Sequence, residues 1–147
     1  MTFTSNLLVL SASDVAQITA SFSPTELQCF MAQVFLSLTR QRRSLEHEAA
    51  SSRSETQLPH RTTISMRNHK ALWMPARFCP ASDPGNASTS MKIVCVPQGG
   101  RGEGLPASII VLDEDTGSVK AVVNATKLTA LRNAAGLYND FRDRGRC

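Results

Sequence analysis

SIIVLDEDTGSVKAVVNATKLTALRNAA, Ser108 to Ala135, sets a β-hairpin directly in front of a helix, and the rest of the chain is read outward from it. Ser108 to Leu112 and Val119 to Val123 are rich in β-branched residues. They flank Asp113-Glu114-Asp115-Thr116-Gly117-Ser118, a run with turn chemistry. Asn124 or Thr126 then caps a helix whose apolar positions Leu128, Leu131, Ala135 and Tyr138, extended by Phe141, form one stripe for packing on a sheet. Arg132 stands one step off that stripe. A guanidinium at the edge of a buried face is costly unless it meets an anion, and its planar fork suits a carboxylate or a phosphate. Two readings stand: a surface arginine whose stem covers apolar neighbours, and an anion-binding residue.

Working back toward the N-terminus, Met91-Lys92-Ile93-Val94-Cys95-Val96 is the clearest strand before the hairpin. Alternation puts Lys92, Val94 and Val96 on one face, with Ile93 and Cys95 on the other. An ammonium in such a strand faces solvent on a sheet edge or meets a carboxylate or ligand, so the edge-lysine and site readings both apply to Lys92. Between this strand and the hairpin lies GGRGEG, Gly99 to Gly104. It fits neither GxGxxG nor a P-loop and leads into a strand, which makes it a flexible hairpin loop. Further back, Pro59 to Ile64 opens an extended region and Ala71 to Phe78 is a second candidate strand, with the turn-rich Cys79 to Ser90 behind it. Glu46 to Leu58 has no apolar periodicity and reads as an exposed loop.

The N-terminal part is helical. Leu7 to Leu10 is a short strand, and Ser11 or Ser13 caps a short helix that starts near Asp14 and turns Val15 and Ile18 inward. Ser23, Pro24 and Glu26 form a capping-box start. The following apolar residues Leu27, Phe30, Met31, Val34, Phe35 and Leu38 fall at i, i+3, i+4, i+7, i+8 and i+11, the strongest helical period in the sequence. Arg40, Arg42 and Arg43 at its end complement the helix dipole. No aromatic residue interleaves with them, which argues for a solvated helix end and against nucleic-acid binding. The element order predicts an α+β domain with a largely antiparallel sheet, two N-terminal helices and a C-terminal helix.

Length and composition agree with one domain over residues 1–147: 41% hydrophobic residues suffice for one core, and the formal charge of +4 is mild. The four cysteines show no metal-ligand spacing and read as free thiols in a reducing compartment. With no secretory signal and no membrane-spanning run, the expectation is a cytoplasmic protein, with Asn86 and Asn124 as chance matches to the glycosylation triplet. The polar RDRGRC end predicts fraying of the last helix.

Several of these segments recur together in one order: Pro59 to Arg61 before a strand, LWMPA at Leu72 to Ala76, MKIV at Met91 to Val94, Gly104-Leu105-Pro106, the Leu112 to Gly117 hairpin and LTALRNAA. In that order, from about Leu7 to Tyr138, the chain resembles the N-terminal half of the ornithine cyclodeaminase/mu-crystallin family. The resemblance implies a small amino or imino acid as substrate and NAD or NADP as cofactor. It implies that Arg61 and Arg132 hold the substrate carboxylate, that Lys92 stands at the reacting centre as catalytic residue, and that Arg132 also borders the cofactor. It further implies a homodimer, or a heterodimer with a full-length relative, through this half. The family motif reads LTALRTAA, so Asn133 replaces a threonine whose side chain serves the cofactor side; Ser108 stands near another threonine that the family offers to the dinucleotide. The family continues into a Rossmann domain that also holds a catalytic aspartate, and nothing after Phe141 supplies a strand, glycine turn and helix. The expectation is therefore a truncated family member without hydride transfer or cyclodeamination by this chain alone, with a non-catalytic dimerisation or amino-acid-binding module as the alternative.

Overall fold

The computed structural model describes residues 6–45, 56–80, 84–99 and 104–144. Strand β1 (Leu8–Leu10) leads into α1 (Ala12–Ala20), where Ser11 is the N-cap. The Ser11 hydroxyl accepts from the Asp14 N–H at 3.3 Å and the Asp14 carboxylate accepts from the Ser11 N–H at 2.8 Å, so two otherwise orphaned amides are satisfied reciprocally. The same device starts α2 (Pro24–Leu45): Ser23 Oγ accepts from Glu26 N–H at 3.2 Å and Glu26 returns the bond to Ser23 N–H at 2.7 Å. These bonds hold both carboxyls below their ordinary range, through the Ser11 side chain first for Asp14 and the Ser23 backbone first for Glu26.

The remaining elements are β2 (Thr62–Ser65), β3 (His69–Phe78), β4 (Ser88–Pro97), β5 (Ala107–Leu112), β6 (Val119–Asn124) and α3 (Thr126–Arg144). They form a six-stranded sheet in the order β1-β6-β5-β4-β3-β2. Every pairing is antiparallel except β1 with β6, where Leu8 to Leu10 run parallel to Ala121 to Val123. The α+β architecture is thus the expected one. The β5–β6 turn closes as its chemistry requires: Asp113 Oδ1 accepts from the N–H and hydroxyl of Thr116, both at 2.9 Å, and Gly117 takes φ +68°, a region glycine enters without steric cost.

The three helices lie together on one face. α3 contacts α1, α2 and β5, and α1 contacts β1 and β6. Where α3 leaves the sheet the core is built of small side chains: Val94, Ala107 and Ala125 are buried, with Met74, Ile109 and Leu128 packed against them. Ala125 is 0% exposed, and its N–H donates to Ala107 O at 2.8 Å while its own carbonyl accepts the first bond of α3, from Thr129 N–H at 3.1 Å. The helix-capping side chain is Asn124, whose Oδ1 accepts from Thr126 N–H at 3.2 Å. Thr126 instead accepts from Ala107 N–H at 3.4 Å.

The helix α2 stripe is only partly covered. Leu27, Met31, Val34 and Leu38 are half-buried, whereas Phe30 is 59% exposed and Phe35 50%. The physical reason is placement: α2 lies against α3 and not across the sheet. The Glu46 to Leu58 loop falls outside the described residues except at Thr56 to Leu58, where Thr56 is tied to the backbone of Cys79 by bonds of 3.1 and 3.2 Å. The side chains of Arg40, Arg42, Arg43, Tyr138 and Phe141, the loop residues 100–103 and the last residues 145–147 lie outside the described residues. No described helix is long and apolar enough to cross a membrane. Among the described residues Cys29, Cys79 and Cys95 are free thiols.

Candidate functional site

Lys92 pairs with Met74 of β3 on one side and Ile109 of β5 on the other. This removes the edge-lysine reading: β4 is an interior strand, so the ammonium has no solvent edge to point along. Its side chain faces instead a cavity of about 300 Å3 between the sheet, α2 and α3. From α2 the walls are Leu27, Phe30 and Met31; the sheet contributes Lys92 and Ile109. Helix α3 closes the other side with Leu128, Leu131, Ala135 and Arg132. Leu128, Leu131 and Ala135 are the stripe read from the sequence, and Arg132, one step off it, reaches the same space.

Two cations therefore share one apolar cavity. Among the described residues neither makes a hydrogen bond or an ion pair, and no Asp or Glu lines the walls. Burial holds the Lys92 ammonium below the ordinary lysine range, and the like charge of Arg132 adds to that. Lys92 is half-buried and Arg132 exposed, so water screens their repulsion in part, and an anion seated between them would meet both charges. A carboxylate fits such a pair: the guanidinium offers a bidentate fork and the ammonium a point charge.

Arg61 is placed differently. It precedes the first paired residue of β2, is exposed as Arg132 also is, and is not among the residues lining the cavity. Thr62 pairs with Trp73 and Met74 with Lys92, so continuing the register puts Arg61 in the row through Met74 to Lys92, on the same face and two strands away, about 10 Å. Asn133 is exposed on α3, and Ser108, paired with Ile93 and Asn124, belongs to the opposite face of the sheet. The contributions of α2 and Ile109 were not read from the sequence. The signal for Ile109 was present in the strand alternation, but using it required knowing the β4–β5 register.

The residues described do not form a dinucleotide cradle. The loop from Gly99 to Gly104 joins antiparallel β4 and β5, and no described strand runs through a glycine-rich turn into a helix N-terminus. No cluster of His, Cys, Asp and Glu among the described residues could hold a metal ion.

No protein-family model and no curated protein matches the sequence. Solved structures do match the fold. The Thermococcus litoralis Δ1-pyrroline-2-carboxylate reductase, in complex with NADH and L-proline, aligns at 25% identity and a TM-score of 0.63 over 88% of this chain and 35% of that one. An archaeal alanine dehydrogenase dimer with bound NAD aligns at 21% identity and a TM-score of 0.60, covering 88% of this chain and 34% of its own. A probable ornithine cyclodeaminase from Bordetella pertussis Tohama I aligns at 18% and 0.60, with coverages of 88% and 34%. The chain shares its fold with part of these proteins. It spans about a third of their length.

Proposed function

We propose that this chain is the substrate-binding domain of an ornithine cyclodeaminase/mu-crystallin family member, matching the N-terminal half of that family, and that its cavity holds the carboxylate of a small amino or imino acid. The observation that carries the reading is the pair Lys92 and Arg132, two cations on one apolar cavity with no counter-charge among the described residues. Arg132 binds the carboxylate and borders the cofactor side. Lys92, with its proton held less tightly than an ordinary lysine's, is the group beside the reacting carbon that can hold or give a proton. Arg61, on the same face at about 10 Å, receives the carboxylate end at the outer rim. NAD or NADP supplies hydride chemistry when bound by a dinucleotide-binding domain; the described residues of this chain offer no cradle for it. Residues 1–147 tested by themselves are expected to be inactive in hydride transfer and cyclodeamination. The test is an NMR titration of the chain with L-proline and with Δ1-pyrroline-2-carboxylate: saturable shifts at the cavity that vanish in Arg132→Met support the reading, and their absence in the native chain refutes it. Nicotinamide oxidation by this chain with NAD(P)H and a cyclic imino acid, dependent on Lys92, would refute the inactivity.

A second reading has its own observation. The helices share one face of the sheet, which leaves Trp73, Ile93 and Ile110 on the other without a helix over them among the described residues. The Trp73 Nε1–H has no hydrogen-bond partner among the described residues. This supports a dimerisation module, as a homodimer or with a full-length relative. Sedimentation of the native chain and of Ile93→Glu tests it: a dimer converted to monomer by the charge is expected, and a native monomer at high concentration counts against it.

A further inference from the structure

We infer that the cavity takes a monocarboxylic acid with an apolar tail of a few carbons and rejects one whose tail ends in a second amino group. The inference rests on the carboxylate-site reading above and specifies what surrounds the rest of the ligand. Once Arg132 and Lys92 hold the acid, the tail has Leu27, Phe30 and Met31 of α2 on one side and Ile109, Leu128 and Leu131 on the other. An ammonium at the end of the tail gives up part of its water against these apolar walls, meets no Asp or Glu among the described lining residues, and stands near two positive charges that already repel.

No described Asp or Glu lines the cavity, and four of the described acids are engaged elsewhere. Asp14 and Glu26 close the caps of α1 and α2, Asp113 holds the β5–β6 turn, and Glu114 is bound by Arg77 and Thr89. Glu26 is the closest in sequence to the wall, one residue before Leu27, and its carboxylate bonds both the N–H and the hydroxyl of Ser23 at 2.7 Å. Turning it into the cavity would open the start of α2. Size points the same way: about 300 Å3 is the small end of ligand pockets, enough for a short chain.

The experiment compares pentanoate with 5-aminopentanoate, which differ only by the terminal ammonium, in parallel titrations of residues 1–147 followed by amide NMR shifts at pH 7. Pentanamide is the control without charge. The expected result is pentanoate binding at least ten times more tightly than 5-aminopentanoate, and affinity rising about fourfold for each added CH2 from propanoate to hexanoate. Equal or tighter binding of 5-aminopentanoate overturns the tail inference while the carboxylate reading stands, provided pentanoate still exceeds pentanamide. If pentanoate and pentanamide bind alike and Arg132→Met changes neither, the carboxylate reading falls and this inference with it. Failure of all three to bind has the same consequence.

Discussion

Two pairs of residues on this sheet show opposite uses of a cation. At the hairpin end, Arg77 of β3 meets Glu114 with Nε and Nη2 both at 3.0 Å from Oε2, and Thr89 donates to the same carboxylate. Thr89 first and then Arg77 hold the Glu114 carboxyl below its usual range. In the helix-covered half, Lys92 and Arg132 face one another's charge with no described acid between them. The first arrangement is self-satisfied and serves to fasten the β5–β6 turn to β3 and β4. The second has no counter-charge among the described residues and is open to an anion from outside. The lesson is that charge type alone does not mark a site; what marks it is charge whose partner the fold has withheld.

The sharpest way to break the comparison is to remove the binding charge. Arg132→Met is expected to weaken carboxylate binding by about 10- to 100-fold, the worth of a charge-assisted hydrogen-bonded pair, measured by titration calorimetry or NMR. An unchanged affinity would place the anion elsewhere.

Lys92→Met should separate function from stability. Binding weakens, yet the fold gains, because an ammonium that the folded state disfavours is replaced by a side chain of similar length that belongs in an apolar wall. A rise in melting temperature of no more than about 2 °C is expected, because water still reaches the half-buried ammonium and screens its cost. A fall would mean that Lys92 has a stabilising partner.

The pH dependence follows from the direction of the Lys92 shift. Its pKa in the folded chain lies below the ordinary lysine value, so in the window between them the unfolded chain still carries a proton that the folded chain has released. Stability therefore rises with pH across that window. Anion affinity falls over the same range as the ammonium is lost. Native and Lys92→Met chains melted in parallel at several alkaline pH values should show this increment in the native chain alone.

The smallest effect belongs to the satisfied pair. Glu114→Gln is expected to cost less than about 1 kcal/mol, as for other solvent-accessible ion pairs, and to leave carboxylate binding unchanged. The lowered Glu114 pKa means its stabilisation is present above the ordinary glutamate range and fades as pH falls through the folded-state value. Chemical denaturation at neutral and acidic pH checks both the size and the sign; a loss of ligand affinity in this variant would mean that the two regions are coupled.

Local chemistry made most of the elements legible in the sequence. Ser11 with Asp14 and Ser23 with Glu26 begin helices because a serine oxygen and an acid three residues on satisfy amides that a helix start leaves bare. Asp113, Thr116 and Gly117 close a turn for equally local reasons. Periodicity set the α3 stripe that became one cavity wall, and it marked Arg132 as the residue beside it. The same periodicity in α2 predicted a covered face, but Phe30 and Phe35 are about half exposed or more, because a hydrophobic period says that a face is available to be buried and not what will cover it.

What the sequence determined by itself is the set of strands and helices, their caps and turns, and the presence of lone cations in apolar surroundings, all of which depend on residues within a few positions of one another. Only the tertiary structure decided that β1 joins β6 in parallel at one edge, that β4 is interior so that Lys92 has no solvent edge, that α2 supplies a wall, and that Lys92 and Arg132 share a cavity while Arg61 stands two strands away. Those outcomes depend on strand order and register, which are fixed by contacts between residues far apart in the chain, where no local pattern records the partner.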